Sequence, residues 1–552
     1  AIAAGIAATL REAGIARHEA EIAQIERARA EKRFNDVRQL SDSLIFDIHD
    51  AIQNLPGATP ARKVLLDRAV EYLDSVSKDA AGDPDLQREL AWGYQRLAVV
   101  QGNPTESNLG DESAALASDR KALANFAAVA QANPSNVIDQ LNVAMMHRIL
   151  AYSSLTEQSG HDDLAQAMTI TERLLKLDPA NSKIKSERSI EYQNFGLMQD
   201  AAGDRIRALE AFRENQQLKL KILNTDPNYR NIRRSVGNAT IMLGIAQARI
   251  DQRREALQTL EQGIAYYESA STGTDVVNTK RELAHSKQTL GDVQFKEGDL
   301  KAAKKSYLES RIAFESLAKA DPQNTLLQSD LAWADFHDGR VLLLSHRHSE
   351  AIEHLRHALS GFEALPAPTQ TAIDAINGKA SIHLWLADAY DDVGDLRNAL
   401  TNDQLAAKTL GVEPTTKTSD DTRCDLALSY IKVASIQSRL GNQKEALATV
   451  EKGLSIVAPS LVPVHQDVPA LYVFASGHAE RGAILTAQAR AEHDAERRLE
   501  LERQARTAYE QSLNAWKQIP NPSRISPNGF RLDEPTQAIQ RLQRLLNSKE
   551  LT

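Results

Sequence analysis

Residues 290–310 read LGDVQFKEGDLKAAKKSYLES, and residues 243–263 read LGIAQARIDQRREALQTLEQG. Laid over each other, Gly291 falls on Gly244, Ala303 on Ala256, Tyr307 on Leu260 and Ser310 on Gly263. The register continues in both directions. Ala residues stand at 208, 256, 303, 351, 399 and 446, spaced 48, 47, 48, 48 and 47 residues apart. Twelve residues before each comes a small residue: Gly196, Gly244, Gly291, Gly339, Ala387 and Ala434. Seven residues after come Asn215, Gly263, Ser310, Ala358, Ala406 and Gly453. Five residues before stand Gly203, Asp251, Gly298, His346, Gly394 and Gly441. That last position asks for a left-handed backbone, which Gly adopts freely and Asp or His tolerate better than most residues. Four offsets held in phase over six copies define a repeat.

Each unit reads as helix, tight turn, helix, short linker. Asp83-Pro84, Asn133-Pro134, Asp178-Pro179, Asp226-Pro227 and Asp321-Pro322 are read as N-caps followed by Pro at the first helical position. Thr274 and Thr369 hold the same register. Subtracting the linker leaves two helices of about 20 residues, each about 30 Å long. Small residues at fixed points allow close approach, and short loops enforce antiparallel pairing. The expected fold is all-α: antiparallel helical pairs with a period of about 48 residues, stacked into a right-handed superhelix with a concave binding face. Eight pairs are expected over 84–460, the first interrupted by an insertion at 103–110. Before them come a polar helix over 1–33 and a capping segment over 34–83, with helices at 35–54 and 60–80. After them, 461–552 carries a long pair (467–492 and 494–518), a break at Pro520, Pro522 and Pro527, and a closing helix at 534–548.

Composition agrees. The 552 residues carry 65 Lys and Arg against 74 Asp and Glu, a net charge of −9, with 42% hydrophobic and 5% aromatic residues. An acidic balance without a basic block argues against nucleic acid as the main partner, because that affinity comes from neutralising phosphates. The single cysteine, Cys424, excludes an internal disulfide and a cysteine-based zinc site. It is expected as a buried or half-buried helix cysteine. No stretch reaches the roughly 18 apolar residues needed to span a bilayer.

The small–small–Ala pattern resembles the tetratricopeptide repeat, a helix-turn-helix of 34 residues. The turn-side core agrees, with Leu243-Gly244, Leu290-Gly291 and Phe195-Gly196 before the turn and Phe212 or Tyr307 four residues after the Ala. The period is longer, and Gln199, Gln247, Gln294 and Gln437 stand where that family usually has Tyr. A second resemblance lies at the front. Phe34-Asn35-Asp36-Val37-Arg38, the segment Leu44 to Asp50, Leu55 to Arg62, Ala69 to Leu73, Gly82 through Ala91 and Val100 to Pro104 are similar to a segment of bacterial transmembrane Ser/Thr protein kinases with a C-terminal tetratricopeptide region. The resemblance implies a cytosolic kinase domain, one membrane span, and then this region outside the membrane. The apolar run Ala1 to Ala8, followed by Arg11, fits the last turns of such a span and equally a frayed helix end.

No kinase machinery lies in the chain itself. There is no glycine-rich phosphate loop, no HRD and no DFG; Asp335-Phe336-His337-Asp338-Gly339 falls inside a helix. Neither a GxSxG elbow nor HExxH occurs. Five of the 14 histidines fall at His337, His346, His348, His354 and His357. His354 and His357, three apart on one helix face, are the metal candidates. They flank the core positions Leu355 and Ala358, where solvated residues are expected, so ordinary surface histidines are the plainer reading and no cofactor is expected. Asp388, Asp391 and Asp392 sit near a helix end. Of Trp92, Trp333, Trp385 and Trp516, Trp333 is the best groove candidate.

If tetratricopeptide geometry holds, the positions 15, 11 and 8 before each Ala line the groove. Gln193, Asp200, Gln288, Asp292, Phe295, Phe336, Arg340, Asp388 and Asp391 then form one strip with two exposed aromatics, an Arg and several carboxylates, a composition suited to a protein or peptide ligand; the alternative is that Phe295 and Phe336 only pack between adjacent first helices. The leading expectation is therefore a non-catalytic interaction or ligand-sensing region, extracytoplasmic by resemblance, signalling by ligand capture or by homodimerisation. A free-standing scaffold or co-chaperone, cytosolic or periplasmic, is the alternative. A metal-dependent activity on the histidines between 337 and 357 is the third.

Overall fold

A computed structural model describes residues 59–77, 82–102, 111–250, 252–270, 276–320, 322, 325–365, 373–411, 420–461, 468–519 and 535–547. The helices expected at 1–33 and 35–54, the insertion at 103–110, the prolines after 519 and the two Thr starts at 274 and 369 lie outside those residues. Among the described residues every regular element is helical. They divide into two compact units, Ala1–Pro179 and Ala180–Thr552.

In the first unit, α1 (Thr59–Val76) precedes two hairpins, α2 (Pro84–Gly102) with α3 (Glu112–Ala132) and α4 (Val137–Ser153) with α5 (Gln158–Leu177). Leu73, Leu90, Tyr94, Leu97, Phe126 and Met146 form its core. The Tyr94 hydroxyl donates to Asp74 Oδ1 at 2.6 Å, and the Arg88 Nε and Nη2 hold both oxygens of Asp139 at 3.1 and 3.2 Å. Asp119 on α3 is buried, its Oδ1 has no hydrogen-bond partner, and burial pushes its carboxyl up to about 7. The folded unit thus binds this proton more tightly than the unfolded chain does. The stability it gives is fully present below about pH 4 and is lost as pH rises toward 7. Asp119→Asn is expected to stabilise the unit by about 2–4 kcal/mol at pH 8 and by little at pH 4. Urea unfolding at both pH values checks this, and a pH-independent difference contradicts it.

In the second unit the hairpins are α6 (Ser182–Ala201) with α7 (Arg205–Thr225), α8 (Ile232–Arg249) with α9 (Arg253–Ala270), α10 (Val276–Lys296) with α11 (Leu300–Ala320), α12 (Thr325–Leu344) with α13 (His348–Glu363), α14 (Ile373–Asp392) with α15 (Leu396–Leu410), and α16 (Asp420–Arg439) with α17 (Gln443–Val457). A longer pair, α18 (Val468–Ala491) with α19 (Ala495–Gln518), and α20 (Pro535–Leu546) follow.

The turn between paired helices is built as the register requires. Gly203, Gly298, Gly394 and Gly441 have φ between 80° and 91°, and His346 has φ 58°. The residue after each returns its N–H to the carbonyl five residues back, as in Asp299 N to Gln294 O at 3.0 Å and Arg347 N to Leu342 O at 3.0 Å. That same residue often starts the next helix: Asp204, Asp299 and Asp395 accept from the N–H three residues on. One Gly stops a helix and the adjacent Asp begins its partner.

The small residue twelve before the Ala is a notch for the side chain four after it. A Cβ built on Gly196, Gly244, Gly291 or Gly339 would stand 2.8, 2.8, 2.6 or 2.7 Å from Phe212, Leu260, Tyr307 or Leu355 respectively.

The linkers differ from the sequence expectation. Among those described, only Asp83-Pro84 begins a helix, Asp83 capping the N–H of Asp85 and Leu86. Asn133, Asp178 and Asp226 instead end helices, their N–H donating to the carbonyls of Val129, Leu174 and Ile222. Their φ near −135° and ψ near 75° are what a following Pro imposes. The N-caps are Asn136 and Asn181, three residues later, each accepting two backbone N–H groups.

Candidate functional site

Four first helices of the second unit, α6, α10, α12 and α14, carry the nine residues of the strip expected from the register. Its carboxylates are tied to the next first helix. Asp200 pairs with Arg249, Asp388 with Lys432 at 2.6 Å, and Asp391 with Arg439 at 2.5 Å. Asp292 meets Arg340 at 3.4 Å. Arg234 with Glu282 and Arg281 with Asp330 continue the pattern across other joints. The more exposed of these pairs, such as Arg439 with Asp391, contribute at most about 1 kcal/mol each, and the repeated pairing ties each first helix to the next. Gln193 and Gln288 are half-buried.

The expected exposed aromatics are a correction. Phe295 and Phe336 are 0% and 3% exposed. Positions 15, 11 and 8 before the Ala follow i, i+4, i+7 spacing, so they share one helix face. In the middle of the unit that face is packed against neighbouring first helices, so both rings are core.

Four of the nine strip residues nevertheless meet in one cluster. The Arg340 guanidinium lies 4.3 Å from the Phe295 ring centre, 5.3 Å from Phe336 and 5.4 Å from Trp385. Three consecutive first helices, α10, α12 and α14, therefore enclose one cation. Its Nη1 reaches Asp292 and, at 3.2 Å, the Nδ1 of His337. Arginine can only donate, so His337 Nδ1 accepts and its proton sits on Nε2. The His337 ring stacks on Tyr307 at 4.7 Å and on Trp333 at 6.1 Å. Tyr307 donates its hydroxyl to Asp292 Oδ1 at 2.8 Å.

Charge states follow from these contacts. Burial, helped by the neighbouring Arg340 cation, pushes His337 down to about 4 although Asp292 pulls the other way, so the ring is neutral near pH 7. Burial opposes ionisation of Asp292, but the His337 ring, Arg340, Lys296 and the Tyr307 hydroxyl outweigh it, so the carboxylate sits below its usual range. Arg340 is 5% exposed, and its Nε and Nη2 have no hydrogen-bond partner; neither has His337 Nε2. The site is a buried cation with spare donor capacity beside a partly exposed carboxylate.

Sequence reasoning placed Asp292, Phe295, Phe336 and Arg340 here but missed Trp385, which is 1% exposed, and the polar role of Tyr307. The latter had a signal: Tyr307 is a notch-filling side chain with a hydroxyl where Leu260 and Leu355 have none. Trp333 is partly buried against Phe336 and Phe362.

The metal candidates do not assemble. His357 Nδ1 lies 2.6 Å from Asp335, but Arg311 occupies the adjoining carboxylates, 3.4 Å from Asp335 and 2.8 Å from Asp338. A guanidinium thus stands where a cation would. Among the described residues no three His, Cys, Asp or Glu side chains are placed to hold a metal ion, and no helix is long and apolar enough to cross a membrane. Cys424 is fully buried.

The array is a stack of antiparallel helical hairpins. Comparison with known proteins adds solved structures only, since no family model and no curated protein matches. The apo form of RapI is similar at 11% identity and a TM-score of 0.49, over 74% of this chain and 96% of that one. The human IFIT1 dimer with PPP-AAAA is similar at 14% identity and a TM-score of 0.42, over 92% and 95%. TTC0263, a thermophilic tetratricopeptide protein of Thermus thermophilus, is similar at 16% identity and a TM-score of 0.27, over 44% and 98%.

Proposed function

We propose that the chain is a non-catalytic binding region whose second unit holds a protein or peptide on the first-helix face around α10, α12 and α14. The observation that supports it most is the Asp292–Tyr307–His337–Arg340 cluster, in which charged groups with unused hydrogen-bonding capacity are packed among aromatic rings. Aromatic and arginine side chains dominate binding energy at protein interfaces; here the rings are already buried in the free protein, and Asp292, with a third of its side chain exposed, is the group of the cluster open to a ligand. Peptides selected from a random display library on the intact chain are expected to bind with saturable heats. Phe336→Ala combined with Arg340→Ala should weaken them about tenfold or more while helicity is kept. If selected peptides lose affinity only when 467–552 is removed, the assignment is wrong.

The setting is part of the same proposal: this region lies outside the membrane, following the kinase domain and single span of a receptor-like Ser/Thr protein kinase. Its support is the resemblance carried by residues 34–104. The coding sequence upstream of Ala1 tests it. An apolar segment of about 20 residues preceded by kinase motifs is expected, and a start codon next to Ala1 would refute the setting while leaving the binding proposal intact.

A further inference from the structure

Arginines in this chain meet carboxylates in two ways, some through Nη1, as Arg439 with Asp391, and others through a paired edge. Arg88 holds Asp139, Arg234 holds Glu282, Arg281 holds Asp330 and Arg347 holds Glu350, each through the paired Nε and Nη2 edge of the guanidinium. That edge presents two parallel donors matched to the two oxygens of a carboxylate. Arg340 leaves that edge empty. Its Nε and Nη2 are buried without a partner, and its only carboxylate contact among the described residues is a 3.4 Å approach of Nη1 to Asp292. His337, one turn away, adds an Nε2 proton that is also without a partner. A buried guanidinium edge left empty costs free energy that a two-oxygen acceptor would recover.

We infer that the Nε and Nη2 edge of Arg340 is a receptor site for a ligand carboxylate, filled when a bound peptide places an acidic side chain or a free C-terminus among α10, α12 and α14. The inference rests on the peptide-binding proposal and specifies its chemistry. Phe295, Phe336 and Trp385 enclose the guanidinium, so an incoming carboxylate is desolvated and an apolar group beside it is favoured. Asp292, with a third of its side chain exposed, marks the side open to solvent. Lys296 bears on Asp292 electrostatically, and its charge offsets the second negative group. Both donor nitrogens are covered in the free protein, so binding must move the groups that cover them.

Three small probes test this on the intact chain, with tryptophan fluorescence and calorimetry as readouts, because Trp385 lies against the guanidinium. N-acetyl-leucine carries a C-terminal type of carboxylate, N-acetyl-aspartic acid α-amide a side-chain type, and N-acetyl-leucinamide none. Saturable binding of at least one of the first two, at roughly millimolar half-saturation for ligands of about a dozen heavy atoms, is expected, with none for the third. Which of the two binds more tightly identifies the source. Arg340→Met and Arg340→Lys should both lose at least about tenfold in affinity with helicity unchanged. The lysine variant keeps the charge without the two-pronged edge, and it decides the matter if the methionine variant does not fold. Equal binding of N-acetyl-leucinamide, undiminished binding by the folded variants, or no response to either acid overturns the site. If display-selected peptides still bind while these probes fail, the carboxylate site falls and the peptide-binding proposal stands; if nothing binds, that proposal falls with it.

Discussion

Gly291→Val is expected to destabilise the second unit by about 3 kcal/mol or more, seen as a lower urea midpoint. The reason is local. A Cβ at residue 291 would lie 2.6 Å from the Tyr307 ring, and valine adds two more methyl-sized groups there. Tyr307 is 1% exposed and anchored through its hydroxyl to Asp292, so it cannot swing aside without breaking the polar cluster. The control is Gly298, seven residues on. A Cβ there would meet nothing within 4 Å, but the residue's φ is 84°. Gly298→Ala should therefore cost only the backbone term, about 1 kcal/mol. Adding Tyr307→Ala to Gly291→Val should return part of the lost stability. If Gly291→Val melts like the parent, the notch account of the repeat is wrong.

Asp403→Leu is expected to stabilise the same unit, increasingly so as pH rises. Asp403 occupies the notch-filling position of the fifth copy, where the others have Phe212, Leu260, Tyr307, Leu355 and Val450. It is 1% exposed, and its Oδ1 has no hydrogen-bond partner. Burial pushes this carboxyl well above its usual range; Lys432 opposes the shift, while Asp388 and Asp391 add to it. The folded state thus favours the protonated acid. Its contribution is present below the unfolded value near 4 and is lost as pH climbs through the folded value. Leucine removes that loss and the orphaned oxygen together, worth about 1–3 kcal/mol above neutrality. Paired urea curves at pH 5 and pH 8.5 check the sign. A gain that shrinks with pH would mean that the Asp403 carboxylate is ionised and well paired.

These two sites show why the fold was legible. The register marks steric demands: a Cβ either fits at 291 or it does not, and a left-handed turn at 298 or 346 admits few residues. Demands of that kind leave a trace in a single sequence. The linkers were less legible because Asn and Asp serve both ends of a helix. Asp178-Pro179 looks like a start, yet proline bends Asp178 out of the helical region and makes it a stop. The strip was half legible. Spacing put Asp292, Phe295, Phe336 and Arg340 on one face, and that is where they lie. Whether such a face meets water or another helix depends on how closely the first helices approach, which spacing along one helix does not encode. Trp385 contributes from the next copy, and no local pattern ties it to Arg340.

The proposed binding face lies on α10, α12 and α14. Hydrogen–deuterium exchange on the intact chain, with and without a saturating display-selected peptide, tests it directly. The predicted result is slowed exchange concentrated in 284–297, 333–344 and 384–393, with 468–519 unchanged. Protection confined to 468–519, or spread evenly over every hairpin, would contradict it.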